Sequence, residues 1–266
     1  MLGECYDGTA SSVDRRCAKI GCMDLDEYER MAVAADRHWW YAATRQLLAE
    51  VLGPHLPAHG DGVLFLDAAG GTGATGRWLA DRGTTVLDEW EPAALAYAPS
   101  ASAGYRPVRA DLNALPHADA SFDAVMCITV LYHRMIPDPQ RVVTELARVC
   151  KPGGVVCLME PGVRRLRRPH DVVTHAARRF SRGDLAALVP GAGLELVRAT
   201  GAYTFLVPPA AVDGLIHRGA ASSDIDQHSG GLGGVLGGLA RAERAVLRRT
   251  DLPAGLSVLA VGRKPA

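Results

Sequence analysis

The sequence carries no net charge, because its 29 lysines and arginines equal its 29 aspartates and glutamates in number. Proteins that bind nucleic acid usually show a basic excess that neutralises phosphates. Two short basic runs occur, at residues 164–168 and 178–179, and such runs are typical of solvated faces. We therefore expect a partner other than nucleic acid.

Long apolar stretches are also lacking. No run approaches the roughly 18 residues of a membrane span, and no signal-peptide pattern opens the sequence. The six cysteines do not have metal-ligand spacing, and Cys127, Cys150 and Cys157 lie in or beside apolar runs, where small buried hydrophobic residues are expected. The composition predicts a cytoplasmic protein with no disulfide framework, no metal and no membrane partner.

Hydrophobic residues make up 48% of the 266 positions, which suits a single α/β domain with additions. Residues 1–22 show no periodicity and are predicted to be a poorly ordered leader, whereas residues 23–60 have the apolar spacing of an N-terminal helical cover. We assign residues 61–162 to a binding core, 163–250 to a lid and insertion, and 251–266 to a last strand.

Short apolar runs alternate with helical patterns from residue 63 to residue 160. Such alternation predicts a parallel, doubly wound sheet. Strands are predicted at residues 63–67, 84–88, 105–111, 122–130 and 155–160, and helices at 74–81, 92–98 and 138–150. Beyond residue 160 we predict a helix at 178–189, a strand at 194–199, a helix at 239–249 and a strand at 255–264. The glycine-rich part of the insertion, residues 229–238, is predicted to be mobile.

Polar residues stand where the predicted strands end. In doubly wound sheets, ligands bind beyond the carboxyl ends of the strands, at the point where the strand order reverses. One or two such residues would be unremarkable, but five together predict a binding site there. They are Asp67, Asp88, Asp111, Thr129 and Glu160.

A glycine-rich loop follows the first strand, and residues 71–76 (GTGATG) fit the spacing Gly-x-Gly-x-x-Gly. That spacing alone is a weak signal, because dinucleotide enzymes use a similar loop. Here Asp67 ends the strand, and three residues separate it from Gly71. A carboxylate at this place opposes a pyrophosphate and suits a cation. The loop therefore favours a positively charged ligand over a dinucleotide, which remains the weaker alternative.

Residues 23 to about 200 resemble the class I S-adenosylmethionine-dependent methyltransferases. The resemblance rests on residues 65–73 (FLDAAGGTG), 86–88 (VLD), 110–116 (ADLNALP), 121–125 (SFDAV) and 146–154 (LARVCKPGG), in that order. It implies a Rossmann-like, doubly wound, mostly parallel seven-stranded sheet with an antiparallel last strand, N-terminal helices and a helical insertion. It also implies S-adenosyl-L-methionine as the cofactor.

The resemblance carries a set of cofactor-binding residues onto this sequence. Two departures from the family pattern occur. Ala69 stands where glycine is usual, and the turn after the second strand is more acidic than usual, so that either Asp88 or Glu89 holds the ribose. The predicted cofactor residues are Tyr28, Trp39, Arg45, Asp67, Ala69, Gly71, Gly73, Asp88, Glu89, Asp111, Leu112 and Ile128.

Residues 38–41 (HWWY) are similar to the opening of a subgroup that begins with a His-Trp-Trp-(Phe/Tyr) segment. In that subgroup the helices before the first strand fold over the cofactor. The resemblance implies that Arg45 pairs with the methionyl carboxylate and that the tryptophans wall the site, where an aromatic face suits a sulfonium ion. The alternative, that Trp39 and Trp40 pin the helix to the sheet, stays open.

The acceptor side has weaker signals. His133 follows the fourth strand and is the candidate general base, because imidazole titrates near neutrality; a packing role is the alternative. Asp171 and His175 would share one helical face at spacing i,i+4, either orienting the imidazole or forming an exposed pair. The predicted substrate residues are Tyr41, Tyr132, His170, His175 and Tyr203.

Together these features predict methyl transfer to O, N or C of a small-molecule metabolite, in secondary metabolism. The insertion at residues 208–250 either covers the acceptor or forms a homodimer contact. Two alternatives keep the cofactor without methylation: a cyclase or decarboxylase, and a cofactor-binding accessory subunit. A dehydrogenase is disfavoured by Asp67.

Overall fold

The strands pair into one sheet in the computed structural model, which describes residues 25–60, 62–100, 103–217 and 232–266. The predicted leader, residues 1–22, lies outside the described residues. The strands are β1 (Leu64–Ala68), β2 (Thr84–Glu89), β3 (Tyr105–Arg109), β4 (Phe122–Ile128), β5 (Cys150–Pro161), β6 (Glu195–Ala202) and β7 (Ser257–Arg263).

The sheet order is β3-β2-β1-β4-β5-β7-β6, and β7 runs antiparallel to both of its neighbours. The other pairings are parallel. The predicted fold class, a mostly parallel seven-stranded sheet with an antiparallel last strand, is therefore confirmed. Since β1 pairs with β2 on one side and with β4 on the other, the chain order reverses between β1 and β4. That reversal opens a crevice at the carboxyl ends of the strands.

Helices cover both faces of the sheet. They are α1 (Leu25–Ala34), α2 (Trp39–Val51), α3 (Pro92–Leu95), α4 (Pro139–Val149), α5 (Pro169–Val173), α6 (Arg182–Gly191), α7 (Val207–Ile216) and α8 (Leu232–Leu247). Among the described residues, no helix is long and apolar enough to cross a membrane.

The central strands are mostly apolar because they are buried on both faces. On one face Val125 and Val156 pack with Leu146 of α4 and Leu185 of α6. On the other face Phe65 lies in a second cluster, which α2 and α8 supply with Leu47, Leu48, Ala240 and Leu247. The predicted burial of Cys127, Cys150 and Cys157 is confirmed, and all three carry free thiols.

Two helix predictions were wrong in part. Residues 74–81 do not form an α-helix, since the chain turns twice and makes a single 3-10 turn at Arg77–Leu79. Gly76 lies against the carboxyl group of Asp67 with no room for a Cβ, and glycine and threonine are poor helix formers. In the insertion the helix begins at Leu232 rather than at residue 239, so part of the glycine-rich stretch is helical.

Candidate functional site

Two adjoining cavities open at the carboxyl edge of the sheet. The first, of about 160 Å³, is lined by the loops after β1, β2, β3 and β4 and by α1. The second, of about 360 Å³, lies between α1, α2, α5 and α7. Four residues line both cavities: Met31, Thr75, Thr129 and Tyr132.

The glycine loop forms the floor of the first cavity. Ala69 has a φ of 51° and Gly71 a φ of 59°, so both lie in the left-handed region. That region favours glycine, which accounts for the glycine that the family pattern has where this chain has Ala69. Gly70 packs directly on Asp67, because a Cβ there would lie 2.5 Å from Cγ of Asp67. The loop thereby brings its backbone close to the cavity.

Asp67 is the most buried charge of this floor, with 1% of its surface exposed. Its Oδ2 atom has no hydrogen-bond partner among the described residues. Burial, together with the nearby carboxylates of Glu89 and Asp88, raises the pKa of Asp67 to about 7. An orphaned, buried carboxylate oxygen fits a ligand that brings a cation or a hydrogen-bond donor.

Of the two acids after β2, Glu89 lines the first cavity. Its Oε2 accepts the backbone N–H of Gly71 at 2.9 Å, and its Oε1 accepts those of Trp90 and Glu91. Asp88 is buried instead beside His117, whose Nε2 lies 2.8 Å from Oδ2 of Asp88. Of the two acids that the sequence left open for the ribose, Glu89 therefore lines the cavity and Asp88 does not, because successive strand residues point to opposite faces.

The third acid, Asp111, lines the first cavity beside Leu112. Its Oδ1 accepts the backbone N–H of Asn113 at 2.9 Å and the side-chain amide of Asn113 at 2.8 Å. Tyr28, Ile128 and Thr129 complete the walls. A mixed wall of this kind suits a nucleoside, since the acids accept N–H and O–H groups and the apolar side chains pack on a ring.

Besides Asp88, three predicted cofactor residues lie outside the first cavity. Arg45 donates from Nη1 to the carbonyl oxygens of Ala35 and Ala74, each at 3.0 Å, and so ties the N-terminal cover to the glycine loop instead of lining the cavity. Gly73 packs against Pro99 and Leu87. Trp39 lines the second cavity, where its ring meets that of Tyr203 edge-on with centroids 6.0 Å apart.

His133 lines the first cavity. Its Nδ1 accepts the backbone N–H of Met135 at 3.1 Å, which places the ring proton of the neutral imidazole on Nε2. Burial lowers the pKa of His133 to about 4, and the neighbouring His175 and Arg134 act in the same direction. His133 is thus at the predicted place, but its surroundings keep it neutral and occupy the lone pair that a base needs.

The loop that carries His133 is held by Glu160, the acid at the end of β5. The carboxylate accepts the backbone N–H groups of Val130 and Leu131 on Oε1 and that of Tyr132 on Oε2, at 2.8–3.1 Å. Glu160 is fully buried, and burial raises its pKa to about 8. These three hydrogen bonds fix the loop between the two cavities, just after Thr129, whose φ is 57°.

The predicted substrate residues divide between the cavities. Tyr41, His170 and Tyr203 line the second cavity, and Tyr132 lines both. His175 lies outside both cavities, and the proposed pairing of His175 with Asp171 is wrong. Helix α5 ends at Val173 and His175 has a φ of 48°, so the two do not share a helical face. Asp171 instead pairs with Arg179 at 2.5 Å.

Several lining residues were not predicted. Met31 lies three positions after Tyr28 on α1, and Trp90 directly follows Glu89, so spacing and adjacency were signals for both. Arg168, Arg179 and Asp213 line the second cavity. Arg168 and Arg179 lie before and after α5, and Asp213 belongs to α7. Asp213 follows the two arginines by 45 and 34 residues, and residues so far apart leave no local sequence pattern.

Residues 66–158 match the family model described as a methyltransferase domain. This match covers 93 of the chain's 266 residues. The seven-stranded, mostly parallel sheet agrees with the Rossmann-like fold of the structural neighbours. The match to this family supports S-adenosylmethionine as the cofactor, and the orphaned Asp67 oxygen, Glu89 and Asp111 fit its charge and its hydroxyl and amino groups.

Relatives align over part of their length. An uncharacterised methyltransferase of Mycobacterium sp. (strain JLS) is 39% identical over 98 residues, which is 36% of this chain and 38% of the relative. A demethylmenaquinone methyltransferase of Renibacterium salmoninarum is 30% identical over 158 residues, covering 56% of this chain and 62% of the relative. The chain thus spans less than two thirds of each of these relatives.

One solved structure shows the similarity of fold. A phosphoethanolamine N-methyltransferase of Haemonchus contortus in complex with S-adenosylmethionine matches with a TM-score of 0.56 and 16% identity. The match covers 83% of this chain and 52% of the other. At this identity the likeness extends to the fold alone.

Proposed function

We propose that this protein transfers a methyl group from S-adenosylmethionine to a small molecule bound in the second cavity. The observation that carries the proposal is the shared wall of the two cavities, formed by Met31, Thr75, Thr129 and Tyr132. A cofactor in one cavity and an acceptor in the other meet at this wall. In-line displacement gains much of its rate from such positioning.

S-adenosylmethionine supplies an electrophilic methyl group on a positively charged sulfur. Asp67 would balance that positive charge from the floor of the cavity, and Glu89 would accept a hydrogen bond from a ribose hydroxyl. A carboxylate has about four acceptor positions, and Glu89 uses three of them on backbone amides, which leaves one for the ligand. Tyr28 and Met31 of α1 cover the site and exclude water.

A small-molecule acceptor is supported by the size of the second cavity, about 360 Å³. Helix α7 of the insertion lines it with Pro209, Ala210 and Asp213, in keeping with a covering role. The balanced charge of the chain favours such an acceptor over a nucleic acid. One relative is a demethylmenaquinone methyltransferase, and demethylmenaquinone is also a small molecule. The identity of the acceptor decides whether an oxygen, a nitrogen or a carbon atom receives the methyl group.

Calorimetry tests the proposal at its first step, with S-adenosylhomocysteine and NAD as the ligands. We expect the demethylated cofactor to bind and NAD not to bind; the reverse result would replace the methyltransferase with a dinucleotide enzyme. A metabolite library screened for release of S-adenosylhomocysteine then tests turnover. Product formation without a mass gain of one methyl would assign the protein to cofactor-binding enzymes that do not methylate.

A further inference from the structure

The second cavity has a mostly aromatic and apolar wall. Trp39, Trp40 and Tyr41 supply it from the start of α2, and Tyr203 and Leu206 face them from the segment after β6. The rings are packed at fixed angles, because Trp40 meets Tyr41 edge-on with centroids 5.1 Å apart. Such rings present flat surfaces on which a planar ligand packs.

The charged side chains of this wall already pair with one another. Arg179 donates to both oxygens of Asp171, at 2.5 Å and 3.1 Å, and its side chain is 4% exposed. Arg168 lies 3.8 Å from Asp213, with its side chain 10% exposed. These two pairs cancel the charge of both guanidinium groups that line the cavity.

The remaining carboxylate of the wall is Glu27, which is 1% exposed. Its Oε2 accepts a hydrogen bond from Arg30 at 3.2 Å, one turn further along α1. Each carboxylate and guanidinium group that lines the cavity therefore has a partner of opposite charge in the described part of the chain. Among the carboxylate and guanidinium groups of the described residues, the cavity therefore offers no uncompensated charge to an ionic ligand.

We propose that the second cavity selects an uncharged, ring-bearing acceptor. Moving an ion out of water into such a cavity is unfavourable unless a counter-charge meets it, and the counter-charges here are engaged in ion pairs. A neutral ring loses little hydration and gains contact with Trp39, Trp40 and Tyr203. This inference rests on the proposed function and defines its substrate class.

Three naphthalene probes that differ in charge test the selectivity: 2-naphthol, 2-naphthoate and 2-naphthylmethylammonium. Binding to the full chain loaded with S-adenosylhomocysteine is measured by calorimetry at pH 7. We expect 2-naphthol to bind at least tenfold more tightly than either ion. An ion that binds as tightly as 2-naphthol overturns the proposal.

Two neighbouring alanines of α7, one lining the cavity and one exposed, give a matched pair of variants that locates the binding site of 2-naphthol. Ala210 lines the cavity and is 5% exposed, whereas the neighbouring Ala211 is exposed. Ala210→Trp fills the cavity and is expected to lower 2-naphthol affinity at least tenfold, whereas Ala211→Trp leaves it within twofold. Equal affinities in the two variants would place the probe elsewhere and refute the assignment.

A third variant tests the charge balance without changing volume. Asp213→Asn removes one member of the Arg168 pair, and we expect it to raise 2-naphthoate affinity at least threefold while 2-naphthol affinity stays within twofold. An unchanged affinity for 2-naphthoate would contradict the role given to the pair. Binding of S-adenosylhomocysteine is measured in every protein. If the parent protein does not bind it, the proposed function is refuted. If the parent binds it but an ionic probe binds as tightly as 2-naphthol, only the acceptor class is refuted.

Discussion

The carboxylate of Glu89 accepts the backbone N–H of Gly71 at 2.9 Å and thereby ties the end of β2 to the glycine loop after β1. The contact places one acid at the edge of the first cavity and holds the loop in the left-handed turn that the cavity needs. Its neighbour Asp88 points to the other side of the strand, towards His117. Replacement of Glu89 and replacement of Asp88 are therefore expected to have different consequences.

Replacement of Glu89 is expected to weaken the cofactor site. In Glu89→Gln one oxygen becomes an amide nitrogen, so a donor faces the backbone N–H groups that the carboxylate satisfied. We expect at least a tenfold loss of S-adenosylhomocysteine affinity by calorimetry. Asp88→Asn is the matched control and is expected to keep affinity within threefold while lowering the melting temperature. The opposite order of the two affinities would restore Asp88 as the cofactor residue.

The pKa of Asp67 gives a stability change with pH whose sign is fixed. Burial raises the pKa of this carboxyl from 3.8 to about 7, so the folded protein holds a proton that the unfolded chain releases between about pH 4 and pH 7. The free energy of unfolding contributed by this group therefore falls as pH rises through that window. Between pH 5 and pH 8 we expect the free energy of unfolding of the parent to fall relative to that of Asp67→Asn, by an amount on the order of a few kcal/mol. Urea unfolding of both proteins at the two pH values measures this difference.

Cofactor binding is expected to reverse the protonation of Asp67. A cation near the orphaned Oδ2 atom favours the carboxylate form, so binding of S-adenosylmethionine at pH 6 releases close to one proton per site. Calorimetry in two buffers with different ionisation enthalpies measures that number. Asp67→Asn is expected to release none, and an equal release in the variant would assign the proton to another group.

Glu160 is expected to control the order of the loop between the cavities. In Glu160→Gln the amide retains one oxygen for three backbone N–H groups, which leaves a buried donor unsatisfied and costs about 1–3 kcal/mol. Hydrogen exchange of residues 129–133 is expected to accelerate at least tenfold. Glu145→Gln is the control, because Glu145 accepts the N–H of Leu115 outside this loop. Protection that stays equal in both variants would exclude the positioning role of Glu160.

The parallel core of the sheet and the polar residues at its carboxyl edge followed from local sequence patterns. Apolar runs such as residues 64–66 end in a single polar residue, and the strand geometry gathers those ends at one edge. The choice between Asp88 and Glu89 did not follow, because it depends on where β2 ends, and β2 extends one residue further than predicted. A shift of one residue moves a side chain to the other face of a strand.

The second cavity was the least predictable part of the site. Its tyrosines were identified from the sequence, but its ion pairs join residues far apart in the chain, such as Arg168 with Asp213. Arg45 was expected at a ligand carboxylate and instead donates to two backbone carbonyl groups. Sequence patterns report periodicity and residue type, whereas the partner of a long polar side chain is set by tertiary packing.

The catalytic role of His133 remains a prediction, and its environment defines a test. A general base contributes about 10²- to 10⁴-fold to a rate. Burial lowers the pKa of His133 to about 4, so the imidazole is neutral at pH 7, and its Nδ1 already accepts the N–H of Met135. We expect His133→Asn, whose side-chain oxygen can accept that same N–H, to lower kcat less than tenfold once an acceptor is known. At saturating cofactor, kcat is also expected to stay flat between pH 5.5 and pH 7.5, since His133 does not titrate there. A loss of a hundredfold or more, with a limb in the pH profile that disappears in the variant, would show that His133 is the base and that ligand binding raises its pKa.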